Sequence, residues 1–286
     1  MTIIQETDAG KRLDVWLSEQ YPWLSRAHLQ RLINKELVQV NGSAAKTGHK
    51  LRTNDQILLP NIEAISNQPV PVEPLPILYE DDDCLVMQKP IGLLTHARGG
   101  DSDPEPSVAS FLRQYVSELS GERAGIVHRL DRATSGVIIG AKNPAALSYL
   151  QKQFSQRKVY KTYLAVVEGH LKDTEALIDM PIERNPKAPA TFRVGPNGKS
   201  AQTYYKVVST NDDYSLLELK PTTGRTHQLR VHLAHIGHPI VGDLQYDGAK
   251  ADRLYLHAFS LEITVPSGER KTFTAATPAI FEQKVA

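Results

Sequence analysis

The chain has a single cysteine, Cys84, among 286 residues. That excludes an internal disulfide framework and fits a reducing compartment. Cys84 lies in the apolar run CLVM, where a buried and inert thiol is expected. No apolar run is long enough to span a membrane, so no membrane partner is expected. The opening residues, MTIIQETDAGKRLD, lack the basic-then-apolar order of a signal peptide, and a cytoplasmic location is expected. There is no internal repeat and no low-complexity tract. His232, His235 and His238 fall close together, but no HExxH and no cysteine pair accompanies them, so no metal is expected.

Net charge is also nearly absent, at +1, yet it is unevenly spread. Residues 10–60 carry eight Lys/Arg against four Asp/Glu, residues 61–127 four against eleven, and residues 128–286 twenty-one against fifteen. Two basic segments flanking an acidic one are compatible with a polyanionic partner. Residues 61–76 hold four closely spaced prolines, which fix φ and remove donors, so this stretch reads as an extended linker. The expected domains are therefore 1–60 and 77–286.

In the first segment Leu13, Trp16 and Leu17 have helical spacing. Ser25 suits the N-cap of a second helix, RAHLQRLINKEL, that turns Leu29, Leu32, Ile33 and Leu37 inward. VQVNG predicts a short strand entering an Asn-Gly turn, and DQILL a closing strand. This order of features resembles the small RNA-binding domain first known in small-subunit ribosomal protein four. The resemblance implies that the two helices and the turn bind structured RNA, with Arg12, Arg26, Arg31 and Lys35 as candidates for phosphate contacts.

The second segment mixes strands and helices. Runs at 75–79 and 84–88 flank the acidic turn YEDDD as in a hairpin. Val108, Phe111, Leu112, Tyr115 and Leu119 mark a helix closed by Gly121, and Asn143–Pro144 opens another with Leu147, Leu150 and Phe154 inward. Residues 159–167 alternate, with Val159, Lys161, Tyr163 and Ala165 on one face. Strand-like runs recur near 176–178, 202–208 and 215–219. The fold class expected is α+β, a mostly antiparallel mixed sheet with flanking helices, plus the small N-terminal α/β domain.

One acid stands out. In GIVHRLDRATSG, residues 125–136, Asp131 sits among His128, Arg129 and Arg132, between apolar runs that look like strand ends. Nearby positive charge favours an ionised carboxylate, which suits a nucleophile or base rather than a general acid. Pinning a loop with an ion pair is the competing reading. In a second cluster, KPTTGRTHQLRVHLAHIGHP, Thr226 is expected to cap a helix with Leu229, Leu233 and Ile236 on one face. Arg225 then stands at its N-terminus, where an anion is favoured, either a phosphate or Asp131 itself.

HRLDRATSG and GRTHQLRVHLAHIGHPIVGD together resemble the RluA-type family of pseudouridine synthases. The likeness continues through KPIGLLTH, KTYLAVVEG and LYLHAFSL, in the family's order. It implies the pseudouridine synthase fold and an isomerase that converts uridine in RNA to pseudouridine without a cofactor. It implies that Asp131 is the catalytic aspartate, Arg225 the arginine paired with it, Tyr163 the tyrosine stacked on the flipped uracil, and Arg129 a residue that holds the RNA open. The basic segment 183–200, with Arg184, Lys187, Arg193 and Lys199, is expected to be a mobile loop that grips RNA. Large-subunit (23S) ribosomal RNA is the expected partner, with transfer RNA the other candidate, and the enzyme is expected to be a monomer. The alternatives from other classes are a noncatalytic RNA-binding or ribosome-assembly factor and a metal hydrolase built on the three histidines.

Overall fold

Helix α1 (Leu13–Gln20) turns Leu13, Trp16 and Leu17 into a common core, the i, i+3, i+4 stripe of an amphipathic helix. The computed structural model describes residues 2–22, 26–59, 72–96, 105–116, 118, 119, 123 and 125–286. They divide into two units, residues 1–73 with 96–126, and residues 74–95 with 127–286. Most of the expected linker, residues 61–71, lies outside the described residues, as does Ser25.

In the first unit α2 (Arg26–Asn34) packs Leu29, Leu32 and Ile33 against α1. It stops before Leu37, which is exposed, because Glu36 takes a left-handed φ of 58° that ends the helix. Strands β1 (Thr2–Ile3), β2 (Gln39–Val40), β3 (Ser43–Ala44) and β4 (Gln56–Leu58) form a small antiparallel sheet in the order β1-β4-β2-β3. Asn41 and Gly42 both have positive φ and turn β2 into β3, the conformation that an Asn-Gly pair favours. Asp14 is fully buried beneath this surface. It accepts from Arg12, Arg26 and Gln30, at 2.6–3.3 Å. Burial pushes its carboxyl up, but the hydrogen bonds and the guanidinium charge outweigh that and bring it down to about 2. Also in this unit is α3 (Val108–Leu112), capped by Ser107 and shorter than its sequence pattern suggests; Gly121 lies outside the described residues.

The second unit is built on one nine-stranded sheet. Strands β5 (Ile77–Glu80), β6 (Cys84–Lys89), β7 (Ser135–Ala141), β8 (Tyr160–Glu168), β9 (Glu175–Asp179), β12 (Gln202–Thr210), β13 (Tyr214–Pro221) and β14 (Leu256–Thr264) run in the order β5-β6-β7-β14-β8-β13-β12-β9, and β15 (Arg270–Thr274) pairs with β14. Every pairing is antiparallel except β7 with β14, as expected for a mostly antiparallel sheet. Strands β10 (Ile182–Arg184) and β11 (Phe192–Val194) form a separate hairpin. Helix α4 (Pro144–Ser155), capped by Asn143, lays Ala146 and Leu150 on the core that Val86, Val137, Ile139 and Ile263 form. Helix α5 (Gln228–His235) packs Leu229 and Leu233 on the other half, with Val166, Leu217 and Ile240, and α6 (Ile280–Lys284) closes it with Phe281.

The parallel pairing of β7 and β14 is only two residues long, His257 with Ser135 and Ala258 with Gly136. Gly136 has φ 119°, and a Cβ there would lie 2.1 Å from the Ala258 carbonyl oxygen. Only glycine permits that approach. The two halves of the sheet meet at this seam, and the loop that carries Asp131 enters β7 just before it.

Candidate active site

The Asp131 loop is pinned from the KPIGLLT segment. Thr95 Oγ1 donates to Leu130 O at 2.7 Å and accepts from Leu130 N at 3.1 Å. Gly92 N donates to Arg132 O, and Arg132 Nε donates back to Gly92 O, both at 2.9 Å. The fully buried Lys89 gives its ammonium to Pro90 O, Leu93 O and Arg132 O at 2.8–3.2 Å. Burial brings its pKa down to about 7, against the opposing pull of Asp131. Behind the loop, Arg253 Nη2 donates to Ser135 Oγ, which is hydrogen-bonded to Nδ1 of the buried His257 at 2.8 Å. The backbone around Asp131 is thus fixed on both sides of the residue.

The guanidinium beside Asp131 belongs to Arg230, not to Arg225. Arg230 Nη1 lies 3.8 Å from Asp131 Oδ2, while Nε and Nη2 donate to Asp243 at 2.7 and 2.6 Å. Asp243 is buried, and Gly242 before it has φ 82° with room for no Cβ against the Arg253 carbonyl. Arg230 also lies over the Tyr246 ring, 4.9 Å from its centroid. Arg225 lines the same cleft, but its Nε donates to Ser200 O at 3.0 Å. The expected cap at Thr226 is not formed. α5 begins one residue later, behind His227 in the left-handed region (φ 56°), and the Gln228 side chain ties the turn to Thr223, Arg225 N and Thr203. With that register Arg230 occupies the first turn of α5. Both arginines belong to one motif, and the one-residue shift of the helix start sets Arg230 in its first turn.

His227 completes the surroundings of the carboxylate, with Nε2 at 3.9 Å from Asp131 Oδ2. Phe192 N donates to the Tyr246 hydroxyl at 3.0 Å, and that hydroxyl lies 2.7 Å from His227 Nδ1. The contact with the hydroxyl holds the ring through Nδ1 and turns Nε2 toward Asp131. Burial lowers the His227 pKa; the Asp131 charge opposes this.

These groups line a cleft of about 620 Å³, the size range of a small-molecule site. Lys161 and Tyr163 enter it from β8 and Thr222–Thr226 from the turn after β13. Burial and the Asp131 charge push the Tyr163 phenol up and keep it neutral. His128, stacked on Phe154, accepts from Ile139 N at 3.2 Å and is held neutral by burial, its pKa brought down to about 3. Arg129 lines the rim and is exposed.

The other expected residues stand elsewhere. Most of segment 183–200, up to Val194, belongs to the β10–β11 hairpin, with Arg184 on Pro189 O and over Phe192, Arg193 on Glu183, and Lys187 exposed. Arg12 and Arg26 flank Asp14 with about half of each side chain exposed, 49% and 51%. Lys35 is exposed, and the Arg31 side chain lies outside the described residues. Of the three histidines, His232 is buried between Thr203 and Met180 O, and His238 Nδ1 donates to Glu168 O. Among the described residues no group of three His, Cys, Asp or Glu stands together as a metal site.

An acid seated beside an arginine, in a cleft of a mostly antiparallel sheet, is an arrangement that suits a carboxylate-centred enzyme. The comparisons say which kind. Residues 83–235 match the model of the RNA pseudouridylate synthases and residues 11–57 that of the S4 domain. A relative from Aquifex aeolicus named an RNA pseudouridine synthase is 40% identical over 245 residues, 82% of this chain and 77% of the relative. Ribosomal large subunit pseudouridine synthase C of Vibrio cholerae is 34% identical over 288 residues, 94% of this chain and 90% of the relative. The solved structure of human RNA pseudouridylate synthase domain containing 1 superposes with a TM-score of 0.61 at 32% identity, covering 74% of this chain and 86% of that one. The chain belongs to the RNA pseudouridylate synthase family, isomerases of RNA uridines, and carries an S4 domain at its N-terminal end.

Proposed function

We propose that the protein isomerises uridine in large-subunit ribosomal RNA, with Asp131 as the reacting carboxylate. The name of the Vibrio relative supports the ribosomal target. The observation that carries the catalytic assignment is the seat of Asp131, which lines the cleft with 21% of its side chain exposed and Arg230 and His227 on one oxygen. An ionised carboxylate is what the reaction needs, whether it attacks C1′ of the ribose or removes the C2′ proton. Arg230, rather than Arg225, orients the carboxylate. Tyr163 stacks on the uracil, which must leave the helix to reach the cleft, and Arg129 fills the space it vacates. The S4 domain grips the RNA through Arg12, Arg26, Arg31 and Lys35, and the β10–β11 hairpin adds Arg184, Lys187 and Arg193. The site of action is the cytoplasm, where ribosomal RNA is matured.

The test is release of tritium from C5 of labelled uridine in ribosomal RNA. Asp131→Asn is expected to lower release by ~10²–10⁴-fold or more, the share of a single reacting group, with RNA binding retained. Equal release from the variant removes Asp131 from the mechanism and favours a noncatalytic RNA-binding role. Mapping missing pseudouridines in cellular RNA after gene deletion identifies the target.

A further inference from the structure

Lys161 is unexplained by the roles assigned so far. It stands two residues before Tyr163 on β8, and the alternation of the strand turns both side chains into the cleft that holds Asp131. Same-face neighbours on a strand are ~6.6–6.8 Å apart along the chain. A ring stacked on Tyr163 therefore has one edge within reach of the Lys161 ammonium. That ammonium donates to Thr223 O at 3.0 Å. No other hydrogen bond and no ion pair holds it among the described residues, so two of its three donors are uncommitted on a side chain that lines the cleft. A lysine is costly to bury without an anion beside it. Burial brings its pKa down to about 8, which leaves it charged at neutral pH.

The reaction supplies such an anion. When the N1–C1′ bond breaks, its electron pair leaves on the base, and the uracil carries negative charge spread over N1, O2 and O4. C5 then bonds to C1′, the C5 proton is lost, and N1 regains one, so the product is an isomer. Charge moves from sugar to base in this step. The fixed charges that line the cleft are the Asp131 carboxylate, the guanidinium groups of Arg129, Arg157, Arg225 and Arg230, and the Lys161 ammonium, which has the neutral His128 as its titratable neighbour. A preorganised cation on the base side stabilises the charge-separated state more than the neutral substrate, which is the condition for catalysis.

We propose that Lys161 is a further catalytic residue, whose ammonium hydrogen-bonds the uracil as it departs and holds the negative charge that bond breaking places on it. This rests on the roles of Asp131 and Tyr163 given above. The competing role for Lys161 is structural, fastening the Thr222–Thr226 turn through Thr223 O.

The experiment compares full-length wild type, Lys161→Met and Lys161→Arg on the same RNA with uridine or 5-fluorouridine at the target position. Cleavage of the glycosidic bond is followed by nuclease digestion and chromatography, alongside RNA affinity and thermal unfolding. Lys161→Met is expected to lose ~10²–10³-fold in kcat on uridine, the typical effect of removing one charge-stabilising donor, with RNA affinity unchanged. Fluorine acidifies the ring and makes the base a better leaving group, so the loss should be at least ~10-fold smaller on 5-fluorouridine, equivalent to 1.36 kcal/mol. Lys161→Arg keeps the charge and should retain more activity than the methionine variant. The wild-type kcat/KM should fall as pH rises through about 8, and that limb should move upward in Lys161→Arg. Equal losses on the two substrates, full activity in Lys161→Met, or a wild-type profile flat through and above that pH would each overturn the proposal. Should Lys161→Met fail to fold, the pH profiles of wild type and Lys161→Arg decide alone. A wild type inactive on uridine would instead sink the underlying assignment of the reaction.

Discussion

Arg230 reaches Asp131 with one nitrogen, at 3.8 Å, because its other two are committed to Asp243 at 2.7 and 2.6 Å. A guanidinium is planar, so fixing two nitrogens fixes where the third points. Asp243 is thus a positioning residue for the pair, and Arg230 cannot be replaced by a lysine, which lacks the fork. Arg230→Lys is expected to lower kcat by ~10²-fold or more. Arg225→Ala, removing a guanidinium tied to Ser200 O, should cost much less. Tritium release under single-turnover conditions checks the order; a larger loss in Arg225→Ala would reverse the assignment.

Tyr246→Phe deletes the hydroxyl that joins Phe192 N to His227 Nδ1. A buried donor left without a partner costs about 1–3 kcal/mol, and here the cost falls on the hairpin. Amide exchange at Phe192 should quicken relative to the core of β8, and activity should fall through the loss of His227 orientation. Unchanged exchange would show that the bridge contributes nothing.

Gly136→Ala places a Cβ 2.1 Å from Ala258 O at a φ of 119°. Neither side chain nor neighbour can move away, because both contacts are backbone. A loss of about 3 kcal/mol or more is expected, beyond the usual range of a surface change, together with loss of activity as the Asp131 loop shifts. Calorimetric unfolding of the purified variant measures it.

Asp14 ties acid stability to the N-terminal unit. Its folded pKa of about 2 lies below the ordinary 3.8. The unfolded chain therefore binds more protons between those values, and the stabilisation is complete above about 3.8 and lost as pH falls toward about 2. Asp14→Asn should cost about 1–3 kcal/mol at neutral pH and flatten that acid dependence. Both tryptophans, Trp16 and Trp23, lie in this part of the chain, so denaturant unfolding followed by tryptophan fluorescence isolates it.

Removing residues 1–60 should weaken RNA binding more than it disturbs the nine-stranded sheet, whose cores are built from residues beyond that point. Filter binding and circular dichroism on the truncated chain test this; undiminished affinity would refute the role given to the S4 domain.

Much of this architecture was legible in the residues. The period-2 alternation of 159–167 marked β8 and put Lys161 and Tyr163 on one face, and Asn143–Pro144 marked the start of α4. Long-range events were not legible. β14 carries no sharp alternation, since its first residues are buried on both faces, and nothing local signals that it pairs in parallel with β7. Likewise the start of α5 was not legible, because a histidine at φ 56° opens the helix. That strained conformation is held by the Gln228 bonds and the Tyr246 bridge rather than by local preference.

The sequence by itself determined that a single acid lies in a basic setting between strands, and that a small helical module precedes the sheet. Those are local facts, carried by periodicity, turn residues and charge. Which arginine faces Asp131 was decided only by tertiary structure. Arg225 and Arg230 are five residues apart in one motif, and the choice depends on a buried Asp243, thirteen residues further on, that seizes one guanidinium and aims it.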